Sequence, residues 1–211
     1  MGATEPASQA ASPERNVPLL QGTPPKRADA RRNYERLIAA AAAVFAERGA
    51  DDVSLEEIAR RAGVGIGTLY RHFPARQALL EAVYKDQVDG LEVLAGKLLA
   101  SESAGAALCE WMRAFVAFGR TKRSLSSALV ANKDSQLMSQ CSMILRGCTQ
   151  TLLSRAQEAG EARPEVQSAD IMRLAHALIM ATEMAPADPD QPERLVSLIV
   201  GSVLVPEAAR T

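Results

Sequence analysis

The chain of 211 residues has two histidines, three cysteines and 4% aromatic residues, and each shortage narrows what it can be. His72 and His176 lie far apart, and neither has a cysteine, serine or aspartate partner in a nucleophilic motif, so no enzyme is expected. Neither has a metal-ligand neighbour at helical spacing, so no metal site is expected either. A glycine-rich loop able to cradle phosphates is missing, and no cofactor is expected. Cys109, Cys141 and Cys148 are odd in number, sit in apolar surroundings and lack C-x-x-C spacing, which excludes a disulfide framework. Cys141 and Cys148, seven apart on an expected helix, stand about 10 Å apart along its axis, beyond disulfide reach. They read as core residues, since redox sensing needs exposure and a lowered thiol pKa. No run approaches about 18 uninterrupted apolar residues, so no membrane span is expected. The chain opens without the charged start and apolar core of a secretory signal, and Pro6 stands where myristoylation needs serine or threonine. The expected location is cytoplasmic.

What is present is helical. The 47% hydrophobic content is ample for a core, and strand-like alternation is lacking. The net charge of −1 argues against a wholesale nucleic-acid coat, but its distribution is uneven. Residues 26–76 hold ten Lys/Arg against seven Asp/Glu, and residues 77–211 hold thirteen against sixteen. Residues 1–27 are rich in Ala, Ser and Pro and read as a disordered tail. Lys26, Arg27, Arg31 and Arg32 cluster before the first expected helix. They form either a flexible arm lying on phosphates or in a minor groove, or a solvated basic run.

Residues 54–73, SLEEIARRAGVGIGTLYRHF, write two short helices around a glycine turn. Ser54 and Glu57 have capping-box spacing, in which the serine caps the helix and the glutamate reaches back. Ile58, Ala59 and Ala62 share a face, and Gly63 supplies a left-handed stop. Ile66, Leu69, Tyr70 and Phe73 continue at helical period until Pro74. Two helices joined this tightly cross steeply, as in a helix-turn-helix DNA reader. Thr68, Arg71 and His72 lie off the apolar stripe and can donate to phosphates and base edges. The plainer reading is a helical hairpin with solvated polar residues.

The surrounding residues resemble the amino-terminal domain of the TetR family of bacterial transcriptional repressors. The resemblance covers roughly residues 27–83. It rests on the FAERG ending of the first helix (residues 45–49), the V-S-x-x-x-I-A-x-x-A-G-V core (residues 53–64) and G-T-L-Y-x-H-F (residues 67–73). Many relatives place serine and then a polar residue after A-G-V; here stand Gly65 and Ile66. The reader helix thus lacks a side-chain N-cap, at a few tenths of a kcal/mol, and Ile66 is placed to meet a thymine methyl. The resemblance implies Thr68 near base edges, with Tyr70, His72 and Arg76 on phosphates. Ser54 is a further phosphate candidate at a helix amino terminus.

After Pro74, helices are expected over 76–99, 106–119, 125–131, 137–159, 169–184 and 192–204, separated by polar breaks, about nine helices in all. Ile171, Leu174, Ala175 and Leu178 form one stripe and Leu195, Val196, Ile199 and Val203 another. Such a hairpin either pairs with its copy or closes the chain's own core. The resemblance implies the first, a four-helix bundle making a homodimer that sets two reader helices on a near-palindromic operator.

Between head and hairpin, Trp111, Met112, Phe115, Phe118, Met138, Cys141, Met143, Met172 and Met180 form a soft, aromatic-rich segment. It reads either as plain core or, as the resemblance implies, as the lining of a cavity whose small-molecule ligand releases DNA. His176 and Glu183 are placed to orient such a ligand or, for His176, to sit as a satisfied buried imidazole. The expectation is thus an all-α protein: a three-helix helix-turn-helix domain at 28–75 and a helical ligand-binding and dimerisation domain at 76–211. Its expected function is a repressor released by a small apolar or aromatic molecule. The alternative is a ligand-independent architectural or division-associated DNA binder of the same fold.

Overall fold

The computed structural model describes residues 26–125, 136–184, 188 and 190–206. Residues 1–25 of the expected tail, and all but Leu125 of the helix expected at 125–131, lie outside the described residues. Eight helices are described: α1 (Lys26–Arg48), α2 (Leu55–Ala62), α3 (Ile66–His72), α4 (Arg76–Leu98), α5 (Ala104–Ser124), α6 (Gln136–Glu158), α7 (Ser168–Met184) and α8 (Gln191–Val203). The described residues hold no strand beyond an isolated antiparallel bridge between Ala162 and Leu204.

Two expected boundaries are corrected. Lys26, Arg27, Arg31 and Arg32 are not a flexible arm before the first helix; they occupy its opening turns. Arginine and lysine are good helix formers, and Arg32 pairs with Asp29 three residues back, as Arg31 does with Glu35 four residues on. For the same reason the basic run at 120–124 is no break, and α5 continues through it to Ser124.

The head folds around one apolar knot. Leu37, Ala41 and Phe45 of α1 meet Ile58 and Ala62 of α2, Leu69 of α3, Phe73, and Leu79 of α4, all buried. Ser54 caps α2 by accepting from the Glu57 N–H at 3.2 Å. The return half of the expected capping box is absent, because the Glu57 carboxylate instead bridges Arg48 and Arg61. Gly63 closes α2 at φ 64°, where its N–H and that of Val64 satisfy the last carbonyls. Arg36 reaches across from α1 toward the Gly63 carbonyl. Gly63→Ala places a Cβ in the left-handed region and against the Arg36 guanidinium, and is expected to lower stability by about 1–2 kcal/mol. Urea unfolding reads this directly, and an unchanged midpoint would contradict it.

The body is built on α5, which packs against α4, α6, α7 and α8. Its Trp111 is fully buried and donates its indole N–H to Thr149 Oγ1 of α6 at 3.0 Å; Thr149 in turn donates to the Leu145 carbonyl at 2.8 Å. The chain end is tied by the Arg163 N–H to the Val203 carbonyl and the Val205 N–H to the Glu161 carbonyl, each 3.0 Å. α4 runs from head to body, burying Leu79, Leu80 and Val83 at one end and Leu91, Ala95 and Leu98 at the other. It is therefore the mechanical link between them.

Candidate nucleic-acid interface and effector region

The helix-turn-helix stands as the sequence places it, with Gly65 as the N-cap of α3 and no side-chain capping bond. A helix of two turns can bury only one edge, and here that edge is Leu69, continued by Phe73. Ile66 and Tyr70, expected on the apolar stripe, are instead 37% and 47% exposed and face outward. Thr68 is half-buried and Arg71 exposed beside them. The outer face of α3 thus offers an isoleucine methyl, a hydroxyl, a phenol and a guanidinium, a set that suits base edges and phosphates.

His72 is half-buried and does not stand alone. The Tyr34 ring of α1 lies edge-on to it at 6.0 Å and against Phe73 at 5.2 Å. Tyr34 is itself exposed, a candidate interface residue that sequence reading missed because its neighbours lie nearly forty residues away. Ser54, accepting from its own helix, keeps a hydroxyl proton to donate outward.

Arg76 departs from its expected phosphate role. Its Nη1 donates to the Val53 carbonyl at 2.5 Å, its Cζ stands 6.0 Å from the Phe45 ring centroid, and Nη2 is buried without a partner. The guanidinium faces the head's interior because α4 starts directly over the loop that joins α1 to α2. It holds α4 to the head rather than reaching for DNA.

The remaining charges divide into structural and free. Arg61 holds the Glu47 carboxyl below the usual carboxylate range, and Arg48 does the same for Glu57, through charge-assisted hydrogen bonds. Arg27, Arg60 and Arg71 have no ion pair among the described residues, and Arg60 was not anticipated. Because Glu47 and Glu57 have lowered folded pKa values, their contribution is complete above the unfolded carboxylate value and is lost as pH falls through the folded one. Stability is expected to fall as the solution is acidified below about pH 4.5, less steeply in Glu57→Gln. Thermal melts from pH 6 to 3 check this; parallel curves would exclude the linkage.

The expected effector set separates into two groups. Trp111, Met112 and Phe118 of α5 and Cys141 of α6 are buried, with Phe115 and Met138 half-buried at their margin. Rings form a row from Tyr84 through Phe118 and Phe115 to Trp111, with centroids 5.6, 6.4 and 6.2 Å apart. Burial pushes the Tyr84 phenol up to about 12, so it stays neutral. This tyrosine was missed because one aromatic on a long amphipathic helix gives no local signal.

Met172, His176 and Met180 do not join that row. They lie on a flank of α7, whose inward face is Ile171, Ala175, Leu178 and Ile179. Met180 and His176 are exposed, so His176 is not a buried imidazole. Met172 and His176 line an open recess of about 310 Å³ with Arg146, Ala169, Arg173 and Ala177. Glu183 is in α7, and its side chain lies outside the described residues.

Comparison with known proteins agrees with this architecture. The family described as bacterial regulatory proteins, tetR family, matches residues 37–83, and the SbtR-like transcriptional regulator C-terminal domain matches residues 103–201. The structure is similar to a TetR transcriptional regulator from Streptomyces coelicolor, 34% identical, covering 81% of this chain and 98% of that one at a TM-score of 0.71. It is also similar to a TetR transcription regulatory protein from Mycobacterium vanbaalenii, 37% identical, covering 86% and 100% at 0.69. An HTH-type transcriptional regulator of Staphylococcus aureus (strain USA300) is 38% identical over 63 residues, 30% of this chain and 34% of its own. The chain thus spans about a third of the curated relatives it matches. Among the described residues no helix is long and apolar enough to cross a membrane. With its head, its body and the full length of two solved relatives in agreement, the chain belongs to the TetR family of DNA-binding transcriptional regulators.

Proposed function

We propose that the protein is a homodimeric repressor that binds a near-palindromic operator and is released by a small apolar or aromatic molecule. Residues 28–75 are its DNA-binding domain and residues 76–211 its ligand-binding and dimerisation domain, joined by α4. The observation that carries the reading is the outer face of α3, where Ile66, Thr68, Tyr70 and Arg71 are available while Leu69 and Phe73 anchor the helix. Arg27 and Arg60 supply free cations on neighbouring helices. Release would act through the aromatic row, because Tyr84 belongs to α4 and a ligand that moved this row would tilt the helix that Arg76 fastens to the head.

Support for the dimer comes from the outside of the α7–α8 hairpin, where Leu174 of the first stripe is 41% exposed and Leu198, outside the expected stripe of α8, is 70% exposed, while Ile171, Ala175, Leu178, Val196 and Val203 fill the chain's own core. Leu198→Asp is expected to shift the protein from dimer to monomer in sedimentation velocity while keeping its helical circular dichroism. A dimer of unchanged strength would place the interface elsewhere. Two heads matter because one helix-turn-helix alone discriminates poorly.

The reading is tested by incubating the protein with sheared genomic DNA at about 0.15 M salt, where non-specific binding is weak, and sequencing what it retains. Enrichment of a few near-palindromes supports it. Broad retention without a motif favours the ligand-independent architectural role, and no retention removes the DNA assignment.

A further inference from the structure

The geometry points to a second ligand site, an oxyanion-binding recess between α6 and α7 that takes a phosphoryl group carried on a small apolar body. It is separate from the aromatic row and goes beyond the DNA-reading function. The body of the molecule carries more acid than base, and its described arginines are otherwise engaged. Arg113 pairs with Glu193, Arg163 with Glu165 and Arg194 with Asp188, while Arg155 donates to the Leu98 and Ser101 carbonyls. Arg146 and Arg173 alone among the described arginines of the body have no such partner, and both line the same 310 Å³ recess.

His176 joins them from the next turn of α7, also without a partner among the described residues, and no carboxylate lines the space. Asp170, the acid nearest to it on α7, accepts from the Gln167 N–H at 3.1 Å at the start of its own helix. An anion in the recess gives both unpartnered guanidinium groups a counter-charge. Their planar forks match tetrahedral oxyanions two oxygens at a time. Two positive charges with an imidazole beside them complement a dianionic phosphoryl group better than a carboxylate. Ala169, Met172 and Ala177 supply an apolar wall, and the volume sits at the lower end of the roughly 300–1,000 Å³ of small-molecule sites, enough for a phosphate and a ring.

Calorimetric titration of the full chain with phenyl phosphate tests this without DNA, so its failure leaves the repressor reading untouched. Saturable binding of one molecule per chain is expected, with benzoate roughly tenfold weaker and phenol silent, since each charge-assisted contact carries about a factor of ten. The surface double variant Arg146→Gln/Arg173→Gln, checked for unchanged circular dichroism, is expected to bind phenyl phosphate at least roughly a hundredfold more weakly. Equal binding by this variant, equal binding of benzoate, or binding of phenol as strong as that of the phosphate would each overturn the site. So would an intact chain that ignores phenyl phosphate; if the double variant also loses its dimer, the arginines serve contact between copies instead.

Discussion

Tyr70→Ala is expected to abolish operator binding at salt near 0.15 M while leaving folding and dimerisation unchanged. Tyr70 is 47% exposed and buries no core surface, so its truncation should alter stability by no more than about 0.5 kcal/mol. A phenol hydrogen-bonded to a phosphate contributes about 1.5–3 kcal/mol, and a symmetric dimer loses that contact twice. The combined loss of about 3–6 kcal/mol corresponds to a weakening of more than a hundredfold. Fluorescence anisotropy on the retained fragments measures it. Tyr70→Phe separates the parts of the side chain: it should match the alanine variant if the hydroxyl makes the contact, and approach wild type if the ring does. Unchanged affinity in Tyr70→Ala would mean that α3 does not present this face to DNA.

The second large effect concerns the body. Trp111→Ala is expected to lower unfolding free energy by about 3–5 kcal/mol, the usual range for removing a buried aromatic side chain from a packed core. Set against a typical total of about 5–15 kcal/mol, this brings the protein close to unfolding at physiological temperature. Trp111→Phe removes the indole N–H that Thr149 accepts together with part of the ring system, and should lower stability by about 1–3 kcal/mol, less than the alanine variant, because most of the aromatic packing stays and Thr149 keeps its bond to the Leu145 carbonyl. Guanidinium unfolding at fixed protein concentration reads both, since the stability of the proposed dimer would depend on concentration. The comparison also bears on function. A tryptophan lining an open ligand cavity has fewer packing partners to lose, so a small effect in Trp111→Ala would place the effector cavity against α5 itself.

How far the sequence foretold the structure depended on the distance between interacting residues. The Ser54 cap, the Gly63 stop and the buried pair Ile58 and Ala62 were all legible, because each is decided within a few residues by hydrogen bonds and helical period. Glu57 was misread at the same range. The Ser54 backbone N–H competes for its carboxylate with two guanidinium groups, and Arg48 arrives from a different helix. Arg76 illustrates the longer range. Its partners, Val53 and Phe45, lie 23 and 31 residues upstream, so a cation at the start of α4 looked available for phosphate when the fold had already engaged it.

Periodicity overstated burial where a helix is short or lies at the surface. Ile66 and Tyr70 share the period of Leu69 and Phe73, yet a two-turn helix has one buried edge. On α7 and α8 the stripes were real, but Leu174 points out where Ile171 and Ala175 point in, a choice made by the neighbouring helices. The effector set divided for a related reason. Methionine and aromatic content marked the segment correctly as soft and apolar, yet the packing of α5 against α4 and α6 decides that Trp111 and Phe118 face inward, and that of α7 against α5 and α6 leaves His176 and Met180 outside.

Whether two copies of α3 read successive major grooves, as proposed, is tested most directly by footprinting the protein on a retained fragment with hydroxyl radicals. Two protected patches on one face of the duplex, with centres about one helical turn or a whole multiple of it apart, near 34 Å per turn, are the predicted result. A single patch, or uniform protection along the fragment, would contradict it.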